Sequence, residues 1–215
     1  MDTAISLAGK DFVLSAADVT AARSIVVMKE DQDKIQELDR FRLLSAGGDL
    51  GDVAQFTEYI QRNVHLYELR AGTSLSTRQI AHFIRGELAR ALRERPYEIN
   101  LILGGYDQGE GPSLYYIDYL GSLHMMKYTA QGYAAYFVLS TLDRLYRPNM
   151  NLEEALEVLR ACLDEMGRRF LLKQRHFMVK IADERGVRVL ENAFVDASGT
   201  PTSSVTGAAA AAATS

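Results

Sequence analysis

The spacing of hydrophobic residues changes several times along this chain, and these changes constrain its fold more than any other feature. Short apolar runs typical of strands come first, followed by two segments whose apolar residues recur every three or four positions. Strands, two further helical segments and final strands then follow. Strands and helices grouped in this way predict an α+β fold, because doubly wound domains alternate the two. Two helix pairs and two sheets predict a sandwich with helices on both outer faces.

The predicted strands are short and bounded by turn residues. The turn from Gly9 to Asp11 is typical of a tight hairpin between the first two strands. Gly121 separates two later runs, which we expect to pair with each other. The predicted strands cover 4–7, 12–16, 25–28, 41–45, 99–103, 114–119, 123–128, 177–181 and 187–190.

The predicted helices are marked by residues that commonly start and end helices. Ser76 followed by Gln79 predicts a capping box, and Asn151 followed by Glu154 marks another helix start. Gly72 is typical of a helix C-terminus. The four predicted helices run from Asp52 to Gly72, from Ser76 to Pro96, over 135–145, and from Asn151 to Phe170.

Length and composition limit the class of protein. A chain of 215 residues favours one domain, which we place at 1–195, followed by a disordered Ala-, Ser- and Thr-rich tail at 196–215. A formal charge of −4 argues against nucleic acid as the main partner. The single cysteine excludes an intramolecular disulfide framework. Since no signal peptide or long apolar run is seen, we expect a soluble intracellular protein.

Motifs for metal and phosphate binding are incomplete. The four histidines are scattered without metal-ligand spacing, and the acidic run 30–33 lacks the glycine and closing glutamate of a calcium loop. The glycine-rich stretch 47–51 lacks the P-loop lysine, and its Asp49 would repel a phosphate. A tight backbone turn explains it better. We therefore expect neither a metal nor a cofactor.

Cys162 lies near the apolar face of the fourth predicted helix. A buried structural cysteine is the favoured interpretation, because no neighbouring residue in sequence offers a base. The alternative is a stand-alone enzyme with a thiol nucleophile, which alkylation would inhibit.

Five segments carry a family resemblance: AADVTAA (16–22), SAGGDLGD (45–52), NVHLYELRAG (63–72), GGYDQGEGPSLYYIDYLGS (104–122) and LDRLY (142–146). Their order and spacing resemble those of beta subunits of the eukaryotic proteasome core particle. The similarity covers roughly 2–190 and is greatest to the beta type-2 group, which occupies the fourth position of the beta ring. The resemblance implies a four-layer αββα fold of the N-terminal-nucleophile hydrolase type.

The resemblance also implies a site in which some residues are retained. In active family members, the N-terminal threonine attacks the peptide carbonyl while its own α-amine acts as base. An aspartate and a lysine lie beside it, and a backbone N–H in a glycine-rich turn binds the oxyanion. These three match Asp18, Lys34 and Gly48 in this sequence. A buried Asp–Lys pair can also be retained for structure, because removal of one partner leaves an unpaired charge.

Other residues of that site are lost. The nucleophile position matches Asp2, and a carboxylate cannot form the same acyl intermediate and turn over. A family serine aligns with Tyr133, and a later aspartate and serine align with Arg169 and Leu172. The resemblance therefore implies a subunit without catalytic residues of its own.

Thr3 offers an alternative, because removal of Met1 and Asp2 would make it the N-terminal residue. A shift of one residue along a strand turns the side chain to the opposite face, so we expect Thr3 to point away from Lys34. The rival hypothesis is a threonine peptidase that uses Thr3 after trimming.

The resemblance implies a structural role in the chamber wall of a particle that carries out ubiquitin-dependent protein degradation. The implied partners are other beta subunits in the same ring, the opposite beta ring, the adjacent alpha ring and unfolded polypeptide in the chamber. The implied location is the cytoplasm and nucleus. Candidate contact segments are the exposed turns 107–111 and 147–149 and the chain after Leu190.

Overall fold

The computed structural model describes residues 3–23, 26–169 and 176–190, with the backbone alone at 22 and 23. The predicted tail at 196–215 lies outside these residues. The described strands are β1 Thr3–Ala8, β2 Phe12–Asp18, β3 Ala21–Arg23, β4 Val26–Lys29, β5 Ile35–Asp39, β6 Arg42–Gly48, β7 Ile99–Asp107, β8 Gly111–Ile117, β9 Leu123–Met126, β10 Tyr128–Gly132, β11 Phe177–Asp183 and β12 Gly186–Val189. The described helices are α1 Leu50–Ala71, α2 Thr77–Ala91, α3 Ala134–Leu145 and α4 Leu152–Arg169.

The strands form two antiparallel sheets that pack face to face. One sheet has the order β10-β1-β2-β11-β12 and the other the order β5-β6-β7-β8-β9. Strands β3 and β4 form a separate two-stranded sheet. Buried side chains pack α3 and α4 against the first sheet, α1 and α2 against the second, and the two sheets against each other. The predicted α+β sandwich with helices on both outer faces is confirmed.

Alternation along β1 shows how the sequence builds these layers. Ile5 and Leu7 belong to the core beneath α3 and α4, whereas Ala4 belongs to the core between the sheets. Side chains in a strand point alternately to its two faces, so an apolar residue is needed at each of these positions. This explains why the strand is apolar on both faces.

The helix ends follow the predicted capping residues. Ser76 and Gln79 form both bonds of a capping box, and Gly72 closes α1 at φ 65. The Asn151 side chain accepts a bond from the Glu154 N–H, and the Glu154 carboxylate accepts one from the Asn151 N–H. Asp49 caps α1 by accepting from two N–H groups, a role that the sequence did not reveal.

The strand predicted at 123–128 is wrong as a single element. Its first part, β9, pairs with β8, whereas β10 pairs with β1 in the other sheet. Lys127 lies between the two strands, where the chain crosses from one sheet to the other. The run 123–128 contains no glycine or proline that would have signalled this crossing. Strands β3 and β5 were not predicted, because β3 is short and β5 carries Gln36 and Glu37.

Arg42 organises a buried ion cluster at one end of the second sheet. Its guanidinium donates to Asp39, at 3.0 Å, and to Asp107. The Asp107 carboxylate also accepts from the first N–H of α2, at Thr77. Because Asp107 is buried, the expectation that the whole 107–111 turn is exposed is wrong at its first residue.

Lys180 ties β11 to the segment that contains β5. Its ammonium donates to the carboxylates of Asp33 and Glu37, at 2.7 and 3.0 Å, and to the Ile35 carbonyl. Lys180 itself is buried, whereas the two carboxylates are nearly half exposed. This contact joins the two sheets along the side of the sandwich that contains β5.

Candidate functional site

Asp18 and Lys34 meet at the end of the sandwich where β1 begins and β2 ends. The Lys34 Nζ atom donates to Asp18 Oδ2 and to the Thr20 carbonyl, each at 2.8 Å. Asp18 Oδ1 accepts from the Thr3 backbone N–H at 2.8 Å. The side chains are 1% and 7% exposed for Asp18 and Lys34. The structure therefore brings together two of the residues that the family resemblance singled out.

This cluster fixes three segments relative to one another. Asp18 is the last residue of β2, and its two oxygens contact the start of β1 and the residue before β5. Removing one of the two charges would break a buried ion pair, which is expensive. The two backbone participants, the Thr3 amide and the Thr20 carbonyl, were not predicted, since a backbone group leaves no signal in the sequence.

Gly48 has a structural requirement of its own at the end of β6. Its φ is +145, in the region that disfavours residues with a side chain. A Cβ atom built on Gly48 would lie 2.0 Å from the Glu98 carbonyl oxygen. The strand pairing of β6 with β7 therefore excludes any other residue there. Retention of this glycine is explained by the backbone, whether or not its N–H has a chemical role.

Tyr133 lies at a cleft next to this end of the sandwich. The cleft has a volume of about 610 Å³ and is lined by residues of β6, β10 and α3, including Gly48, Gln131 and Tyr136. Tyr133 is the residue that precedes α3, and 48% of it is exposed. A bulky phenol thus occupies the position that the family resemblance matched to a small serine.

Arg169 is held elsewhere, on the surface of α4. Its Nε atom donates to the Glu165 carboxylate at 2.7 Å, one turn earlier on the same helix. This bond lowers the pKa of Glu165. Asp2 and Leu172, the remaining predicted positions of the lost site, lie outside the described residues.

Thr3 is buried at the start of β1. It lies opposite Gly132 of β10 and shares the strand face of Ile5 and Leu7, which packs beneath α3 and α4. Within the described residues its hydroxyl oxygen has no hydrogen-bond partner. The base of the family mechanism is the nucleophile's own α-amine, and in this structure the Thr3 nitrogen is a backbone amide that donates to Asp18.

Cys162 lies on the buried face of α4, and burial raises the pKa of its thiol to about 12. A thiol with so high a pKa is almost entirely protonated near neutral pH and is a poor nucleophile. The alternative of a thiol enzyme therefore gains no support from the fold.

Grouped metal ligands and membrane-spanning helices are both absent from the described part of the chain. In residues 3–23, 26–169 and 176–190, no three His, Cys, Asp or Glu side chains are grouped to hold a metal ion. The helices of these same ranges are too short or too polar to cross a membrane.

Comparison with known proteins identifies the family. The profile of the proteasome subunit family matches residues 1–182. The chain belongs to the proteasome subunit family. A relative from Oryza sativa subsp. japonica, proteasome subunit beta type-2, is 47% identical over 188 residues, which are 87% of this chain and 89% of the relative.

Relatives from other lineages agree. Proteasome subunit beta type-2 of Dictyostelium discoideum is 44% identical over 193 residues, covering 88% of this chain and 97% of the relative. Proteasome subunit beta type-4 of Saccharomyces cerevisiae is 39% identical over 194 residues, covering 89% and 98%. The predicted resemblance to proteasome beta subunits, and to the beta type-2 group among them, is confirmed.

Proposed function

We propose that this chain is a non-catalytic beta subunit of the proteasome core particle, with the N-terminal-nucleophile hydrolase fold of that family. It forms part of the beta-ring wall and supports neighbouring subunits that cut the unfolded polypeptide. Its partners are beta subunits of its own ring, the opposite beta ring and the adjacent alpha ring. We place it in the cytoplasm and nucleus and in ubiquitin-dependent degradation.

One observation carries the non-catalytic assignment. The position that matches the family nucleophile is Asp2, whereas the retained Asp18 and Lys34 are bonded to each other and to backbone groups of β1 and of the residues after β2. The pair therefore has a structural reason to be retained in a subunit that lacks the nucleophile. Family membership and similarity along most of the chain support its place in the particle.

The rival hypothesis, a peptidase active through Thr3, needs removal of Met1 and Asp2, so that the freed α-amine of Thr3 can act as base for its hydroxyl. In the structure the Thr3 N–H is committed to Asp18, and the hydroxyl has no partner among the described residues. Activity through Thr3 would require a rearrangement of the start of β1.

The test is native mass spectrometry of the endogenous particle, followed by intact mass of this chain released from it. We expect a particle of two alpha and two beta rings in which the chain retains Asp2. A chain trimmed to Thr3 would support the peptidase hypothesis, and a chain found outside any such particle would contradict the assembly role.

A second measurement addresses catalysis directly. In particles that contain Thr3→Val, the rate of peptide hydrolysis per particle should equal that of the wild type, because the substituted hydroxyl has no chemical role. Loss of one peptidase specificity, with the assembly intact, would contradict the proposal.

A further inference from the structure

Three buried serines link the two sheets through their hydroxyl groups. Ser6 of β1 and Ser15 of β2 lie opposite each other in the first sheet, and their Oγ atoms are 2.7 Å apart. The Ser15 Oγ atom also lies 3.0 Å from that of Ser45, on β6 of the second sheet. A serine hydroxyl can donate one hydrogen bond and accept two, so Ser15 can bond both neighbours at once. We call these three residues the serine chain.

The serine chain crosses the core between the sheets, where all three side chains are fully buried. The buried hydrophobic residues of this core are alanine, valine, isoleucine and leucine. A hydroxyl in such surroundings is costly to bury unless it is hydrogen-bonded. Alanine at all three positions would avoid that cost. A contribution to stability alone therefore gives no reason for the three hydroxyls.

The hydroxyls distinguish between strand registers that apolar residues do not distinguish. A slip by one residue turns every side chain to the other face of the sheet, but a slip by two residues keeps the faces. Between β1 and β2, a slip by two would place Ser6 opposite Val13 or Ala17 in place of Ser15. Val13 and Ala17 are both buried in the core between the sheets. The apolar pattern would survive this slip, whereas the bond between the two serines would be lost.

The serine chain also lies at one level of the sandwich relative to the candidate site. Each serine is three residues away from a residue of that site on the same strand: Ser6 from Thr3, Ser15 from Asp18, and Ser45 from Gly48. At about 3.3 Å per residue, each of these distances is roughly 10 Å. The register at the serine chain therefore determines how the site ends of the three strands are aligned.

We propose that the serine chain sets the register of β1, β2 and β6, and so holds the turn at Gly48 in place against Thr3 and Asp18. The bond within the first sheet aligns β1 with β2, and the bond between the sheets aligns β6 with both. Buried polar contacts of this kind can specify one packing arrangement among several of similar stability. The inference concerns the packing of this chain and does not depend on whether the subunit cuts peptides.

Hydrogen–deuterium exchange of the purified particle, measured on peptides by mass spectrometry, tests the proposal. Ser45→Ala removes only the bond between the sheets and leaves Ser6 and Ser15 bonded to each other. Amide exchange in peptides that cover the end of β6 and the turn at Gly48 should become faster on the order of tenfold, as expected for loss of one buried hydrogen bond. Peptides of β1 and β2 should exchange at the wild-type rate.

Two further variants complete the comparison. Ser15→Ala removes both bonds, so peptides from the site ends of all three strands should exchange faster. Thr57→Val is the matched control, because it removes a buried hydroxyl whose hydrogen bond, to the Val53 carbonyl, stays within α1. The three strand ends should exchange in this control at the wild-type rate.

A combined variant separates register from stability. With Ser6→Ala, Ser15→Ala and Ser45→Ala together, no hydroxyl of the chain is left without a partner. Unfolding, measured as exposure of the buried Cys162 to alkylation in urea, should therefore require at least as much urea as in Ser15→Ala. The strand ends should nevertheless exchange as fast as in Ser15→Ala, because the register contacts are absent from both variants.

Three results would overturn the proposal. The first is a wild-type exchange rate at the Gly48 turn in Ser45→Ala. The second is an increase of equal size in peptides throughout the chain, because that indicates a general loss of stability. The third is a combined variant that unfolds at less urea than Ser15→Ala, which would mean that the hydroxyls act independently. If Ser15→Ala fails to enter the particle, Ser45→Ala still decides, since it retains the bond within the first sheet.

Discussion

Two buried ion clusters in this subunit have the same construction, although the family resemblance singled out the residues of only one of them. At the Asp18 cluster, a carboxylate binds a lysine and a backbone N–H of β1. At the Arg42 cluster, a carboxylate, Asp107, binds an arginine and the first backbone N–H of α2. In each case a buried charge pair fixes the start of one element against the end of another.

The comparison shows that a buried, fully bonded charge pair is weak support for chemistry. The Arg42 cluster lies at the start of β6, whereas the cleft lies at the other end of that strand, and its geometry is at least as complete. Perturbed, buried charges occur at functional sites and in structural networks alike. Our proposal of a non-catalytic subunit therefore rests on the nucleophile position, which the family resemblance matches to Asp2, and not on this pair.

The largest expected effect is at the Arg42 cluster. Arg42→Met should lower the free energy of unfolding by about 4 kcal/mol, because two buried carboxylates, Asp39 and Asp107, lose their shared cation. The measurement is alkylation of Cys162 in purified particles over a urea gradient, quantified on its peptide. This single buried cysteine has a raised pKa and should react only when the chain unfolds.

The matched control is Arg62→Met, which removes an exposed i,i+4 ion pair with Glu58 on α1. Exposed pairs contribute about 0.5 kcal/mol or less, so its urea midpoint should be close to that of the wild type. Similar shifts for the two arginine variants would show that the buried cluster contributes no more than a surface pair.

The next effect is at the Asp18 cluster. Lys34→Met should lower the free energy of unfolding by about 3 kcal/mol, measured in the same way, because the buried Asp18 loses its ion pair with Lys34. Adding Asp18→Asn should restore most of the loss, since a neutral amide oxygen can still accept from the Thr3 N–H and the buried carboxylate charge is removed. If the double variant were as unstable as the sum of the single ones, the pairing argument would be wrong.

Lys180→Met should lower the free energy of unfolding by less, about 1.5 kcal/mol. Its two acidic partners, Asp33 and Glu37, are 44% and 49% exposed and regain water when the ammonium is removed. The cost that remains comes mainly from the buried Ile35 carbonyl, which loses its donor. A loss as large as that of Lys34→Met would mean that carboxylate exposure does not govern these costs.

The separation of two partners along the chain decides whether their contact could be predicted from the sequence. Helix caps such as Ser76–Gln79 involve residues three positions apart, and the predicted contacts are present. Arg42 and Asp107 are 65 residues apart, and nothing local marks them as partners. Asp18 and Lys34 were paired through the family resemblance, because only a shared fold makes a separation of 16 residues informative. The crossing of the chain between sheets at Lys127 was missed because it depends on pairing with distant strands, β8 and β1, and nothing local marks it.

The smallest expected change in the free energy of unfolding is at Thr3, and it is an increase. Thr3→Val replaces a buried hydroxyl that has no hydrogen-bond partner among the described residues by a methyl group of similar shape. Removing an unsatisfied polar group should raise stability by about 1 kcal/mol, while the Thr3 N–H bond to Asp18 is kept. Cys162 alkylation should then require more urea than in the wild type. Thr3→Ser is the control, because it retains the hydroxyl and loses the methyl group, and should not stabilise. A destabilised Thr3→Val chain would mean that the hydroxyl has a hydrogen-bond partner in the assembled particle. The start of β1 would then make a contact beyond those seen within the subunit.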